Sequence, residues 1–350
     1  MGRGRRRAFE RSELPVEALR AGGYTDTYFC RARETLLRDG RQPHATMQVF
    51  GKADAFLGGV DEALAILEHC AKEWSDLVVH ALYDGEAIGP WETVMTIAGP
   101  YPAFAELETL VLGVLTRRTR VLTNTRRAVE AAAPKDVLFF PARFDHWEMQ
   151  PGDGYAAHLA GAAGVSTDAQ GSWWGGQGLG TVPHALIAAY GGDTVLATRK
   201  FADQMGADTP VIALVDFDND CVQTSLAVAR ALGERLAGVR LDTSETLVDA
   251  SLADWPDAPT GVCPQLVWNV RRALDAAGFA DVRIVVSGGF APERIRSFEA
   301  QGVPVDAYGV GSALLQGRFD FTADLVEVDG QPCAKAGRKL RPNPRLERVE

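Results

Sequence analysis

The sequence has 350 residues, with 36 Lys and Arg against 46 Asp and Glu, a formal net charge of −10, and 46% hydrophobic residues. That balance is ordinary for a globular chain, but it excludes a general nucleic-acid or anionic-membrane surface, so an anionic ligand has to be gripped locally by particular arginines and backbone N–H groups. Five scattered cysteines (Cys30, Cys70, Cys221, Cys263 and Cys333) show no Cys-x-x-Cys spacing, which argues against a zinc or disulfide framework and for reduced thiols in a cytoplasmic setting.

The chain opens on a basic run, Arg3 to Arg7, with no apolar stretch behind it; residues 1–10 are expected to be a disordered, solvated tail rather than a signal peptide. No apolar run reaches about 18 residues, so no membrane span is expected. Val60–Ser75 carries apolar residues at helical spacing. Leu77–Tyr83 and Trp91–Ile97 read as strands, with Asp84-Gly85 as a turn. Phe104–Leu122 reads as a long helix with Leu107, Leu110, Val111 and Val114 on one face, bridging into a second domain.

From Asp136 onward, apolar strand-like runs alternate with helices. Strands are expected at Asp136–Ala142, Gly164–Ser166, Pro210–Asp216, Gly238–Asp242, Val282–Ser287 and Val305–Tyr308. Helices are expected at Tyr155–Ala163, Pro183–Tyr190, Val222–Leu236, Pro264–Ala277 and Pro292–Gln301. Buried strands separated by helices are parallel βα units. Phe321–Val328 is a further strand, followed by a turn at Asp329-Gly330. The expected class is therefore α/β: an N-terminal α/β domain (1–120), an irregular β/α barrel of about seven strands (121–316), and a C-terminal segment (317–350) returning to the first domain.

The polar residues of the second region fall just after the strands: Arg143, Asp168, Asp216, Asp242, Ser287-Gly288-Gly289 and Gly309-Val310-Gly311-Ser312. In a barrel these points ring one mouth; in an open sheet they would line a crevice. A barrel is preferred because nearly every strand contributes. Glycines after late strands let backbone N–H groups approach a phosphate, although two tight turns without a ligand would have the same sequence. Asp216, Asp218 and Asp220 crowd one strand end and Asp242 follows the next. Such carboxylates bind Mg²⁺ or orient a histidine, and helix capping is the alternative for Asp218 and Asp220. Arg240 points to the same rim or into the barrel. His184, after Gly180-Thr181-Val182-Pro183, sits in the first turn of a helix, a seat for a histidine that carries a phosphoryl group or meets an anion. His146 and His158 read as structural or surface residues. Trp173-Trp174 before Gly175-Gly176 is either a lid or a packed rim loop.

Taken in order, Thr25-Asp26-Thr27-Tyr28, Phe140-Pro-Ala-Arg143, Thr167-Asp168, Gly-Thr-Val-Pro-His184, Val-Asp216, Gly-Val-Arg240-Leu-Asp242, Val-Ser-Gly-Gly289, Ala-Tyr-Gly-Val-Gly-Ser312 and Glu327-Val-Asp-Gly-Gln-Pro-Cys-Ala-Lys335 resemble the nicotinate phosphoribosyltransferases. The resemblance implies type II phosphoribosyltransferase architecture, a homodimer or higher homo-oligomer with shared active sites, and transfer of phosphoribose from 5-phosphoribosyl-1-pyrophosphate to nicotinate, with Mg²⁺ and with ATP acting through a phosphohistidine. It assigns His184 as that histidine and Asp216 as its orienting carboxylate. Asp242 is placed on ribose or metal, and Phe140 and a partner chain's Tyr28 on the pyridine ring. Asp26 and Asp168 join the substrate site. Arg143 and Arg240 hold carboxylate or phosphate, and Ser287, Gly288, Gly289, Gly309, Gly311 and Ser312 the 5-phosphate. Ala142-Arg143-Phe144 stands where many members have Ser-Arg-Arg. Ser166-Thr167-Asp168 and Thr243-Ser244-Glu245 also depart from the family pattern. These changes bear on the base, leaving nicotinamide or quinolinate as alternatives. A phosphate-binding barrel isomerase or aldolase, and a non-catalytic metabolite-binding relative, are the readings from other classes.

Overall fold

The computed structural model describes residues 13–206 and 209–349; the tail expected to be disordered, 1–10, lies outside the described residues. The chain divides into two compact units, Met1–Thr123 with Gly317–Glu350, and Asn124–Gln316. In chain order the strands are β1 (His44–Gly51), β2 (Ala55–Phe56), β3 (Val78–Ala81), β4 (Ala87–Ile88), β5 (Thr93–Pro100), β6 (Asp136–Phe139), β7 (Gly164–Val165), β8 (Val211–Leu214), β9 (Leu236–Leu241), β10 (Arg283–Val286), β11 (Ala307–Val310), β12 (Phe321–Val328), β13 (Gln331–Pro332) and β14 (Glu347–Arg348).

The first unit is an antiparallel sheet in the order β13-β12-β1-β5-β3-β14, with β2 and β4 as a separate pair. Its centre is β1, paired with β5 on one side and on the other with β12, where Ala45 faces Val328 and Gly51 faces Phe321. Most of β1 is buried on both faces, so it lacks the in-out alternation by which a half-exposed strand is read. The buried Gln48 amide donates to Lys339 O (2.9 Å) and accepts from Arg341 N (2.9 Å), tying the C-terminal stretch to the sheet. Helix Val60–Cys70 is buried on nearly every side. Its Glu62 meets Arg118 through two hydrogen bonds of 2.7 and 3.2 Å. Arg118 belongs to helix Glu108–Ala132, a 25-residue helix longer than the pattern predicts.

The second unit holds a parallel sheet in the order β7-β6-β11-β10-β9-β8. The described residues thus carry six ladder strands here, in place of the expected seven or so. The last strand, β11, pairs with the first, β6, from Ala307 opposite Asp136 to Val310 opposite Phe139. Between β7 and β8 there is no ladder. The intervening segment instead makes one bond to each edge, Leu179 N to Val165 O (2.7 Å) and Val182 N to Ile212 O (3.3 Å). Leu138, Val285 and Ala307, from three neighbouring strands, form an apolar cluster against which Phe140 and Ile212 pack. The helices between strands start where the sequence offers a cap or a proline. Asp220 accepts from Gln223 N at the head of Cys221–Leu232, and Pro264 and Pro292 open the next two helices, where a missing N–H costs nothing. No helix among the described residues is long and apolar enough to cross a membrane.

Candidate active site

Parallel strands place all their carboxyl ends at one end of the sheet, and there the second unit has a cavity of about 850 Å³. Phe140, Arg143, His184, Arg240 and Asp242 line it, together with Ser287, Gly288 and Gly289 from the loop after β10, and Gly309, Gly311 and Ser312 at the end of β11. Eleven residues singled out in the sequence, from strand ends, a helix start and the family resemblance, therefore face one space.

His184 is the first residue of helix His184–Ala189. Its Nε2 lies 3.1 Å from Asp216 Oδ2, with the imidazole 45% exposed and the carboxylate 7%. An ionised Asp216 keeps the ring proton on Nε2 and leaves the Nδ1 lone pair free. Burial pushes the Asp216 carboxyl above its usual range; His184 pulls it back, and the charge of Asp242 pushes it up further. The second carboxylate oxygen, Oδ1, is buried without a hydrogen-bond partner.

Arg240, on β9, also has a buried Nε without a partner. Burial lowers its pKa, Asp242 and Asp216 raise it, and Arg143 lowers it. An arginine nevertheless stays charged. Arg143 lies in the turn after β6 with its guanidinium 5.4 Å from the Phe144 ring centroid. Neither guanidinium takes part in an ion pair among the described residues. Two unpaired guanidinium groups converging on one cavity form a site for anions.

The glycines fall into two kinds. Gly288 and Gly289 have φ of 84° and 69°, a left-handed backbone that side chains resist. Gly309 and Gly311 do not; they make room for rings, because a Cβ on either would lie 2.7 Å from Phe140 Cε2 or Phe144 Cε2. The Ser287 hydroxyl is engaged within the protein. It donates to Asp242 Oδ1 at 2.8 Å and so fixes that carboxylate.

Besides Asp216, which reaches the site through His184, three expected residues are not among those lining the cavity. Asp168 heads the short helix Asp168–Gly171, and its Oδ1 accepts from Gly178 N at 2.9 Å, pinning the loop between them; it does not line the cavity. Asp26 and Tyr28 belong to the first unit. There Asp26 Oδ2 accepts from the Thr109 hydroxyl at 3.0 Å, and Tyr28 is 61% exposed. Asp220 is a helix cap. Trp174 stacks on His158 with centroids 4.2 Å apart and planes 4° apart, so the tryptophan loop is packed. Phe144 was not singled out from the sequence, although its place beside Arg143 was a usable signal.

Residues 26–119 match the family described as quinolinate phosphoribosyl transferase, N-terminal domain. Nicotinate phosphoribosyltransferase pncB1 of Mycobacterium tuberculosis is 34% identical over 261 residues, 72% of this chain and 54% of that protein. The chain thus spans about half the length of this relative. Among solved structures, nicotinate-nucleotide pyrophosphorylase from Pyrococcus furiosus superposes with a TM-score of 0.80 at 30% identity, covering 98% of this chain and 86% of that one. Human nicotinic acid phosphoribosyltransferase superposes at 0.68 and 20% identity, over 90% and 77%, which shows a shared fold.

Proposed function

The chain belongs to the nicotinate phosphoribosyltransferase family, and we propose that it transfers the phosphoribosyl group of 5-phosphoribosyl-1-pyrophosphate to the ring nitrogen of nicotinate, giving nicotinate mononucleotide and pyrophosphate. The observation that carries this reading is the pair of unpaired guanidinium groups, Arg143 and Arg240, in a cavity that also holds the Phe140 ring and the Asp242 carboxylate. A pyridine carboxylate needs an aromatic face and a cation; the donor needs cations for its phosphates. The sheet order and the two bonds of the 178–182 segment support an irregular barrel with its mouth at this cavity.

In this reading Phe140 stacks on the base, and Arg143 and Arg240 share its carboxylate and the donor phosphates. Asp242, held by Ser287, faces the ribose, where a carboxylate stabilises the positive charge that develops as the glycosidic bond breaks. No group of three potential metal ligands occurs among the described residues. Mg²⁺ still fits, because it is commonly held by one or two carboxylates plus substrate phosphates, and Asp242 lines the cavity to supply one. Bound there, it would neutralise the departing pyrophosphate. ATP enters as co-substrate at His184, whose Nδ1 takes the phosphoryl group while Asp216 holds the opposite nitrogen. The family reading also sets the enzyme in the cytoplasm as a homodimer, with Tyr28 supplied across the subunit interface.

Quinolinate carries a second carboxylate, and among the described residues Arg143 and Arg240 are the two arginines lining the cavity, with no lysine beside them; this favours a monocarboxylate. Purified protein is assayed with the donor, Mg²⁺ and nicotinate, nicotinamide or quinolinate, each with and without ATP. Nicotinate mononucleotide is the expected product, and turnover of another base alone would replace the substrate assignment.

A further inference from the structure

We infer that Arg294 is a positioning residue for the donor's phosphate, acting from behind the Gly288-Gly289 loop and aiming the N–H groups of Gly289 and Phe290 into the cavity. The inference rests on the reading of the cavity as a phosphoribosyl site. Arg294 lies in the first turn of helix Pro292–Ala300. Its Nη1 donates to Gly288 O (2.8 Å) and Gly289 O (3.2 Å), and its Nη2 to Val262 O (2.6 Å). The guanidinium carbon lies over the Phe290 ring, 4.3 Å from its centroid, with the Phe298 ring centroid at 5.8 Å. A Cβ added at Gly289 would lie 3.2 Å from Nη1.

Both peptides that follow these glycines are trans, since the cis bond among the described residues is Ala133-Pro134. In a trans peptide the carbonyl and the N–H point in opposite directions. Tying the Gly288 and Gly289 carbonyls to Arg294 therefore turns the N–H groups of Gly289 and Phe290 the other way. Gly289 and Phe290 line the cavity, and Arg294 does not. Among the described residues, neither N–H donates a hydrogen bond within the protein. Two free donors side by side on a left-handed turn form a concave anion seat. A loop with two consecutive glycines would otherwise lose that shape to its own conformational freedom. The guanidinium, spanning three carbonyls, holds it. Lysine cannot reproduce this, having neither the planar fork nor the stacking face.

The test compares wild type with Arg294→Ala and Arg294→Lys, and uses Arg296→Ala as a control, an exposed neighbour whose bonded partner is Glu293. Steady-state kinetics are taken with donor and nicotinate varied in turn, and binding of ribose 5-phosphate is measured by calorimetry. The expected result is a rise in donor KM and ribose 5-phosphate Kd on the order of tenfold to a hundredfold in Arg294→Ala. Arg294→Lys should show a smaller rise, with kcat and nicotinate KM within about twofold of wild type in both. Arg296→Ala should match wild type. If Arg294→Ala does not fold, the Arg294→Lys split between donor KM and kcat carries the test alone. Unchanged donor KM and ribose 5-phosphate affinity overturn the inference, as does an equal loss in kcat and both KM values. If wild type makes nothing from nicotinate but Arg294→Ala still loses ribose 5-phosphate, the reaction assignment falls and the clamp stands.

Discussion

The Phe140 ring packs so closely against Gly309 that a methyl group there would sit 2.7 Å from Phe140 Cε2. The glycine sets the height of the ring above the end of β11. Gly309→Ala should tilt the ring and weaken base stacking, which is worth about 0.5–1.5 kcal/mol beyond burial. Nicotinate KM should rise about two- to twelvefold, with donor KM little changed. Steady-state kinetics check this, and an unchanged nicotinate KM would remove Phe140 as the base platform.

Asp216 supplies a prediction in which stability and activity part. Burial raises its carboxyl above the usual range, so the folded state binds the proton more tightly than the unfolded chain does. That preference stabilises the fold fully below the ordinary carboxylate pKa, and its benefit is lost as pH rises through the raised value. Asp216→Asn should melt at or above the wild-type temperature at pH 8, with the advantage gone by about pH 4. ATP-coupled turnover should nevertheless drop by roughly a hundredfold or more. Parallel loss of melting temperature and activity at pH 8 would make Asp216 structural.

His184 should accept label from γ-labelled ATP in an acid-labile, alkali-stable form that His184→Asn abolishes. Because the donor and base sites are otherwise intact, the variant should keep some ATP-independent transfer. ATP hydrolysis in step with product, but with no labelled wild-type protein, would reassign His184 to phosphate binding.

If two chains build each site, Tyr28→Ala and His184→Ala proteins, each impaired in ATP-coupled turnover, should regain part of it when mixed, because a heterodimer carries one site with both residues intact. Such a dimer holds up to half of the wild-type sites. No recovery after confirmed subunit exchange argues that Tyr28 serves no partner.

In the first unit, Glu108 is pushed up to about 7 by burial, with Asp324 and Asp26 adding to the shift. Its contribution is stabilising below the ordinary glutamate pKa and is lost as pH rises through about 7, where the charge costs stability. Glu108→Gln should therefore raise the melting temperature at pH 8 by about 2–4 °C, equivalent to about 1 kcal/mol, and leave it unchanged at pH 4. Calorimetric scans at the two pH values decide it.

The alternation of apolar runs with helices, and the polar residue following each run, were legible along the chain, because strand period and strand ends are local properties. Hence Arg143, His184, Arg240 and Asp242 could be named as neighbours before any fold was in view. The buried strand β1 was not legible, since a strand covered on both faces shows no alternation. Nor was helix Thr194–Gln204, whose buried face is made of Thr194, Ala197, Thr198 and Ala202, too weakly apolar to stand out. What each polar group bonds to was set by chain folding alone. Asp168 turns to Gly178, Ser287 reaches Asp242 from 45 residues away, and Arg294 reaches Val262 from 32. A residue type fixes how many hydrogen bonds a side chain can make. Only the approach of distant strands and loops selects the partners, and that selection separates a carboxylate facing substrate from one that holds a loop.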